Sequence, residues 1–296
     1  YWYRGTSRGF GVSITDILAW SILLATWLAP RYPRRPGFWP ASLGVILVYF
    51  GYCVFSTFNA LEPMYAAWEL VNIPRAMLIL LAGAAYLRTR RELGVLILGL
   101  SVTAGIEAVY ALKQRYLGGM YRVPGTLDHA NSLSMYICTI GPVLLAAALA
   151  NWNKWIRLVA TAGCVAATIS ILLTISRAGL PIYALVMAGT ALVCTSWRIT
   201  FQKVVVLGAV SAVSGAVLLK MWDQISARYA EASFADEYLD EQNEGRGVYL
   251  RWAAAILRDH PLGVGLNNWS YAVSKTYGPA SGFRYEDYDD IKTDPE

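Results

Sequence analysis

Charged residues are scarce in this chain of 296 residues and make up only 15% of it. A soluble domain of this length carries about a quarter charged residues, so an ordinary soluble globular fold is excluded. Hydrophobic residues make up 56% of the chain and gather into long apolar runs. Runs of about 17 to 22 residues have the length that crosses a hydrocarbon core about 30 Å thick. The composition therefore predicts an all-α polytopic membrane protein.

Cysteine and histidine are also rare, with four and two residues. The cysteines lie inside apolar runs, without the spacing of metal ligands or of a disulfide framework, so we interpret them as small core residues. The acidic segment 286–290 lacks the glycine and the terminal glutamate of a calcium-binding loop. We therefore predict no metal site.

The hydrophobic pattern predicts eight transmembrane helices, followed by a large, mostly helical loop. The third span is the weakest, because Glu69, Pro74 and Arg75 interrupt its start, which predicts an interfacial beginning and then a kink. The predicted spans are residues 12–29, 41–58, 70–87, 93–112, 130–150, 156–175, 178–195 and 203–219.

The two parts of the chain differ in charge. Residues 1–220 carry 18 Lys and Arg against 6 Asp and Glu, whereas residues 221–296 carry 7 against 14. We therefore divide the chain into a transmembrane helical domain, 1–220, and a polar loop region, 221–296. The loop region has too few basic residues to bind nucleic acid. We expect the sequence to be a fragment whose loop region is incomplete at its end.

Loops rich in Lys and Arg alternate with a second set of loops that opens with residues 59–69. Residues 59–69 carry neither, and they contain Glu62 and Glu69. Because short cytoplasmic loops carry an excess of Lys and Arg, the basic set is predicted to be cytoplasmic and residues 221–296 to lie on the outer side of the membrane. The basic set comprises Arg31, Arg34, Arg35, Arg88, Arg90, Arg91, Lys154, Arg157, Arg198 and Lys203.

Two arginines on the predicted outer side need an explanation. Arg177 lies in the short link 175–179 between two apolar spans, where a buried arginine costs about 2–3 kcal/mol. Arg246 begins the predicted helix 246–259, and a cation in the first turn opposes the helix dipole. A bound anion would explain both arginines. Snorkelling of Arg177 to lipid headgroups and plain solvation of Arg246 are the alternatives.

Two polar motifs flank these elements. Residues Gly125–Ser132 lead into the fifth span and predict a turn followed by a helix cap from Asp128 or Asn131. Residues His260–Gly265 follow the tail helix and predict a turn from their Pro and Gly content. No strand precedes this second motif, so it is not a dinucleotide-binding fingerprint.

Taken together, four motifs resemble those of the O-antigen ligase and polymerase family of bacterial envelope glycan enzymes. They appear in the family's order, and the resemblance covers nearly the whole chain. The motifs are Arg122–Asn131 (RVPGTLDHAN), Ser176–Gly179 (SRAG), Arg246 at the start of a helix, and His260–Trp269 (HPLGVGLNNW).

The resemblance implies a glycosyltransferase of the bacterial inner membrane that acts on the periplasmic face without a metal or a cofactor. Its donor would be a glycan on a polyprenyl diphosphate such as undecaprenyl diphosphate. Its acceptor would be a saccharide or glycolipid, which is lipid A–core for the ligases. The resemblance matches Arg177 and Arg246 to the family's catalytic arginines, and Arg122, His129 and Asn131 to its substrate-binding positions.

The family's proposed general base is a histidine late in the large outer loop, and neither His129 nor His260 matches it. We expect that histidine to lie beyond residue 296 and the fragment to be inactive alone. Ligase, polymerase and protein glycosyltransferase remain open within the family. The alternative outside it is a transporter or flippase of lipid-linked glycans, which predicts ionisable residues at mid-membrane; the candidates are Asp16, Arg75 and Glu107.

Overall fold

The structure, a computed structural model, describes residues 14–28, 41–87, 89–150, 152–194, 200–230 and 247–281. Within these ranges the regular elements are all helices, as predicted from the composition. Several residues used in the sequence argument lie outside the described ranges, namely Arg31, Arg34, Arg35, Arg88, Arg198, Arg246 and the acidic segment 286–290.

Eight apolar helices match the eight predicted spans one by one. A further helix, α9, and a short helical segment follow in the tail. The helices are α1 (Ile14–Leu28), α2 (Ala41–Thr57), α3 (Pro63–Tyr86), α4 (Arg90–Tyr116), α5 (Ala130–Leu149), α6 (Lys154–Thr174), α7 (Gly179–Cys194), α8 (Phe201–Ala230) and α9 (Gly247–Asp259).

Five of these helices are long and apolar enough to cross a membrane, among the residues that the structure describes. They contain the segments Pro63–Ala84, Arg90–Tyr116, Ala130–Leu149, Lys154–Thr174 and Lys203–Ala227. The other three apolar helices, α1, α2 and α7, are shorter. The all-helical membrane architecture is therefore confirmed, while the count of eight spans stays a prediction.

Helix α3 differs from its prediction. It begins at Pro63 rather than near residue 70 and continues through Pro74 as one helix. Pro63 stands at the first helical position, where its missing N–H costs nothing. Arg75 does not disturb the helix, because its guanidinium binds both carboxylate oxygens of Asp16 on α1, with Nε 2.9 Å from Oδ1. The neutralised pair lets α1 and α3 pack together.

The chain divides into two compact units. One comprises residues 1–88 with 234–296, and the other comprises residues 89–233. The predicted boundary at 220/221 falls inside α8, and the division into a transmembrane domain and a loop region stays a prediction.

The second unit is a helical bundle built around α6. Helix α6 packs against α4, α5 and α8, and α5 also packs against α7. Close approach depends on small residues, because a Cβ on Gly163 of α6 would lie 2.8 Å from the Cα of Ser101 on α4. Lipid-facing helices associate through such small residues.

In the first unit, the tail packs on the loop between α2 and α3. The Asn268 side chain is fully buried; its Oδ1 accepts from the Glu62 N–H (2.6 Å) and its Nδ2 donates to the Glu62 carbonyl (3.2 Å). The Leu61 N–H donates to the Val264 carbonyl (3.2 Å). The segments 61–62 and 264–268 are therefore in direct contact, while the predicted orientation of residues 59–69 and the tail stays a prediction.

The helix predicted at residues 246–259 of the tail is confirmed by α9, Gly247–Asp259. Helix α9 ends at Asp259, and residues His260–Gly265 form the predicted turn. A short helical segment from Trp269 to Ala280 packs on it through Trp252, Val273 and Tyr277. The Tyr277 hydroxyl donates to Asp259 (2.9 Å), and burial together with this carboxylate raises the pKa of Tyr277.

Candidate functional site

The loop between α4 and α5 is fixed to α4 by two polar side chains. Glu107 accepts hydrogen bonds from the Thr126 N–H (3.0 Å) and from the Thr126 hydroxyl. Gln114 bonds Gly125 in both directions: its Oε1 accepts from the Gly125 N–H (2.9 Å) and its Nε2 donates to the Gly125 carbonyl (2.7 Å). Glu107 and Gln114 are seven residues apart, so they lie on one helix face.

Gly125 is required at this turn for two reasons. Its φ is +68°, in the left-handed region that glycine adopts without steric cost. A Cβ at this position would also overlap the Glu107 carboxylate and would lie 3.1 Å from Leu133. The glycine therefore lets the loop lie directly against α4 and α5.

The predicted cap of α5 is wrong. The residue at the N-cap position is His129, and neither Asp128 nor Asn131 caps the helix with its side chain. Asn131 is already inside α5, and its side chain turns to other partners. Its Oδ1 accepts from Nη2 of Arg122 (2.8 Å) and from the Ser176 hydroxyl (3.4 Å).

The link between α6 and α7 holds Arg177 at the start of α7. The Ser176 hydroxyl accepts from the Gly179 N–H (3.2 Å) and its carbonyl accepts from the Leu180 N–H (3.1 Å), which is the pattern of an N-cap residue. Arg177 follows Ser176 directly and lies two residues before α7, which begins at Gly179. A Cβ on Gly179 would overlap the Ser134 hydroxyl, so this glycine allows α7 to approach α5 closely.

Ile175 brings the chain from α6 into this link in a strained conformation. Its φ is +48° and its ψ is 40°, which is the left-handed region that β-branched residues rarely adopt. The strain costs about 1–3 kcal/mol and persists only where the surroundings fix it. Here the Ile175 side chain is 1% exposed, so its burial offsets the cost.

A small apolar core lies under both motifs. It joins Val123, which follows Arg122, to Ile175, which precedes the Ser176–Arg177 pair. The ends of α4 and α8 complete it with Ala111, Met221 and Ile225. The Tyr121 hydroxyl also donates to the Gln224 carbonyl on α8 (3.0 Å). The Arg122 loop, the Arg177 link and the end of α8 therefore share one end of the bundle.

The structure places the sequence-predicted site residues as follows. Arg122 and Asn131 are bonded to each other, and Asn131 joins them to Ser176, next to Arg177. His129 is exposed beside them at the start of α5, without a side-chain capping bond. Arg246 lies outside the described residues, so its predicted convergence with Arg177 stays a prediction.

Residues 162–291 match the family model described as O-antigen ligase. This confirms the family resemblance. The matched residues include Arg177, Arg246 and the His260–Trp269 motif, whereas Arg122, His129 and Asn131 lie before them. No match was found among curated proteins or solved structures.

Sequence reasoning missed the two side chains that hold the Arg122 loop. Glu107 was considered only as a mid-membrane charge, and Gln114 was not considered at all. The available signal was their seven-residue spacing on one face of an otherwise apolar helix, opposite a Gly-Thr turn. Their partners are 11 and 19 residues away in sequence, so spacing alone does not identify them.

Proposed function

We propose that this protein is a membrane glycosyltransferase that transfers a glycan from a polyprenyl diphosphate to a saccharide acceptor on the periplasmic face, in the manner of an O-antigen ligase. The observation that carries the proposal is the linkage of Arg122, Asn131 and Ser176 beside Arg177, at one end of the bundle. The residues that match the O-antigen ligase family model include Arg177 and its link, which supports the same reaction class.

The groups at the end of the bundle that carries Arg122 and Arg177 are chemically suited to bind a diphosphate. Guanidinium groups make bidentate, charge-assisted bonds to phosphate oxygens. The N-terminus of α7 adds backbone N–H groups and the positive end of its dipole, which also favour an anion. We propose that Arg177, with Arg122 and Arg246, holds the donor diphosphate, and that Asn131 orients Arg122.

In the proposed reaction, an acceptor hydroxyl attacks the anomeric carbon of the donor sugar. The new glycosidic bond forms as the anomeric C–O bond to the diphosphate breaks, and the polyprenyl diphosphate leaves with the electron pair. Positive charge held near the leaving diphosphate lowers the barrier to this step. The acceptor proton passes to a general base, a role that we assign to neither His129 nor His260.

A polymerase of the same family would use the same donor and the same arginines, and it would differ in its acceptor. A transporter of lipid-linked glycans is the less favoured function, because its candidate mid-membrane charges have structural roles. Asp16 and Arg75 neutralise each other, and Glu107 holds Thr126. Such satisfied groups do not form an ion pathway.

The direct test is transfer by the full-length protein in proteoliposomes. The assay supplies a polyprenyl-diphosphate glycan with either a lipid A–core acceptor or a second donor molecule. Growth of glycan on lipid A–core supports a ligase, and chain extension supports a polymerase. Passage of the donor across the bilayer without formation of a new glycosidic bond would contradict the proposal and favour the transporter.

The periplasmic placement predicts a labelling pattern. Single-cysteine variants at Phe58 and Leu262, both exposed, should react with an impermeant thiol reagent in cells with a permeabilised outer membrane. A cysteine in the basic loop 31–36 should react only after lysis, because the Lys and Arg excess places it in the cytoplasm. The four native cysteines must first be replaced. The opposite pattern would overturn the orientation and the location of the site.

Asn131→Asp should weaken donor binding by at least about tenfold, because a carboxylate 2.8 Å from Arg122 competes with the diphosphate for the guanidinium. The measurement is the Kd for polyprenyl diphosphate in detergent. Asn131→Ala is the matched control, since it removes the acceptor without adding charge, and it should weaken binding less. Equal affinity of Asn131→Asp and wild type would mean that Arg122 does not contact the anion.

A further inference from the structure

Glu107 stands out as an acidic residue buried in an apolar helix. It is 6% exposed and lies inside α4, a helix long and apolar enough to span the membrane. Leaving an unpaired carboxylate in such a place costs several kcal/mol, so its partners matter. Both oxygens are used, one by the Thr126 N–H and one by the Thr126 hydroxyl. Both oxygens of the carboxylate therefore bind the same turn of the α4–α5 loop.

The geometry makes this turn a rigid support for Arg122. Thr126 and Gly125 are held by Glu107 and Gln114 through four hydrogen bonds. Val123, next to Arg122, is fully buried in the apolar core that also contains Ile175. The backbone on the C-terminal side of Arg122 is therefore fixed at two points within four residues.

We infer that Glu107 is a positioning residue: its carboxylate fixes Thr126, and the turn then sets the place of the Arg122 guanidinium beside Asn131. This inference rests on the proposed function, in which Arg122 binds the donor diphosphate. Glu107 itself does not contact the donor. Loosening it should lower donor affinity without removing any group that binds the anion.

Substitutions of Thr126 test the contact with Glu107 most directly. Thr126→Val removes the hydroxyl that Glu107 accepts from and preserves the shape of the side chain. Thr126→Ser keeps the hydroxyl. Glu107→Met removes both acceptor oxygens at a similar side-chain length, and it carries the same test should Thr126→Val fail to fold. The matched control is Ser101→Ala on the same helix, because the Ser101 hydroxyl donates only within α4, to the Ile97 carbonyl (2.8 Å).

The experiment measures the Kd of the full-length protein for glycan-free polyprenyl diphosphate, together with the thermal unfolding midpoint of each variant. We expect Thr126→Val and Glu107→Met to raise Kd about tenfold, and Thr126→Ser and Ser101→Ala to change it less than twofold. Hydrogen exchange across residues 117–129 should accelerate in the first pair and not in the second. A merely structural role would lower the unfolding midpoint without this pattern in Kd.

Two results would overturn the inference, and they are distinguishable. Wild-type protein that binds polyprenyl diphosphate, with Thr126→Val and Glu107→Met binding equally well, would overturn the role of Glu107 alone. Wild-type protein that binds polyprenyl diphosphate no better than the uncharged polyprenol would overturn the proposed function, and this inference would fall with it.

Discussion

Full-length protein carrying Arg177→Lys is expected to fold normally and to transfer glycan about ten- to a hundredfold more slowly than wild type. The reason is geometric. Lysine keeps the charge but cannot reproduce the planar fork with which a guanidinium grips two oxygens at once. Losing one charge-assisted bond costs roughly 1.5–3 kcal/mol. If the lost bond is one that stabilises the departing diphosphate in the transition state, the transfer rate falls by the corresponding factor.

The same substitution separates the two interpretations of Arg177. A snorkelling side chain needs only a long stem and a positive charge, which lysine supplies. The assay is transfer from a polyprenyl-diphosphate donor, with expression level and monodispersity in detergent as measures of folding. Arg258→Lys is a suitable control, since Arg258 is exposed at the end of α9. Near-normal transfer by Arg177→Lys would leave this arginine as a membrane anchor.

The elements of this fold could be predicted because each one carries its own signal. The apolar runs determined the eight helices to within a few residues, except at the end of α8, which continues to Ala230 rather than residue 219, and where a polar interruption needed a distant partner. The start of α3 is the example. Arg75 looked like a break in the helix, and only Asp16, 59 residues earlier, removes the reason for one.

The site was predictable by residue type but not by contact. Arg122, Asn131 and the Ser176–Arg177 pair were identified from motifs, yet Asn131 was expected to cap α5. An asparagine at a helix start satisfies a cap rule in sequence. Whether its amide turns back to the helix or across to Ser176, 45 residues away, depends on tertiary packing. Spacing along the chain contains no information on that choice.

A substitution at a glycine of the His260–Trp269 motif is expected to cause a large loss of stability. Gly265→Ala is expected to destabilise the protein by about 2–4 kcal/mol, from backbone strain and overpacking together. Gly265 has a φ of +95°, and a Cβ there would lie 2.8 Å from the Ala60 backbone nitrogen and closer still to its Cα. Because those atoms belong to backbone, they cannot rotate away. The segments 60–62 and 264–268 would have to separate, which breaks the Asn268–Glu62 hydrogen bonds.

Gly263→Ala is the matched control for this prediction. Its φ is +84°, so alanine meets a similar backbone strain, but nothing lies within 4 Å of the added Cβ. It should cost only about 1–2 kcal/mol. The measurements are the thermal unfolding midpoint in detergent and the hydrogen exchange of amides 61–62 and 264–268. Equal shifts for the two variants would show that strain alone determines the cost; faster exchange confined to Gly265→Ala would show that the motif exists to hold the tail against the α2–α3 loop.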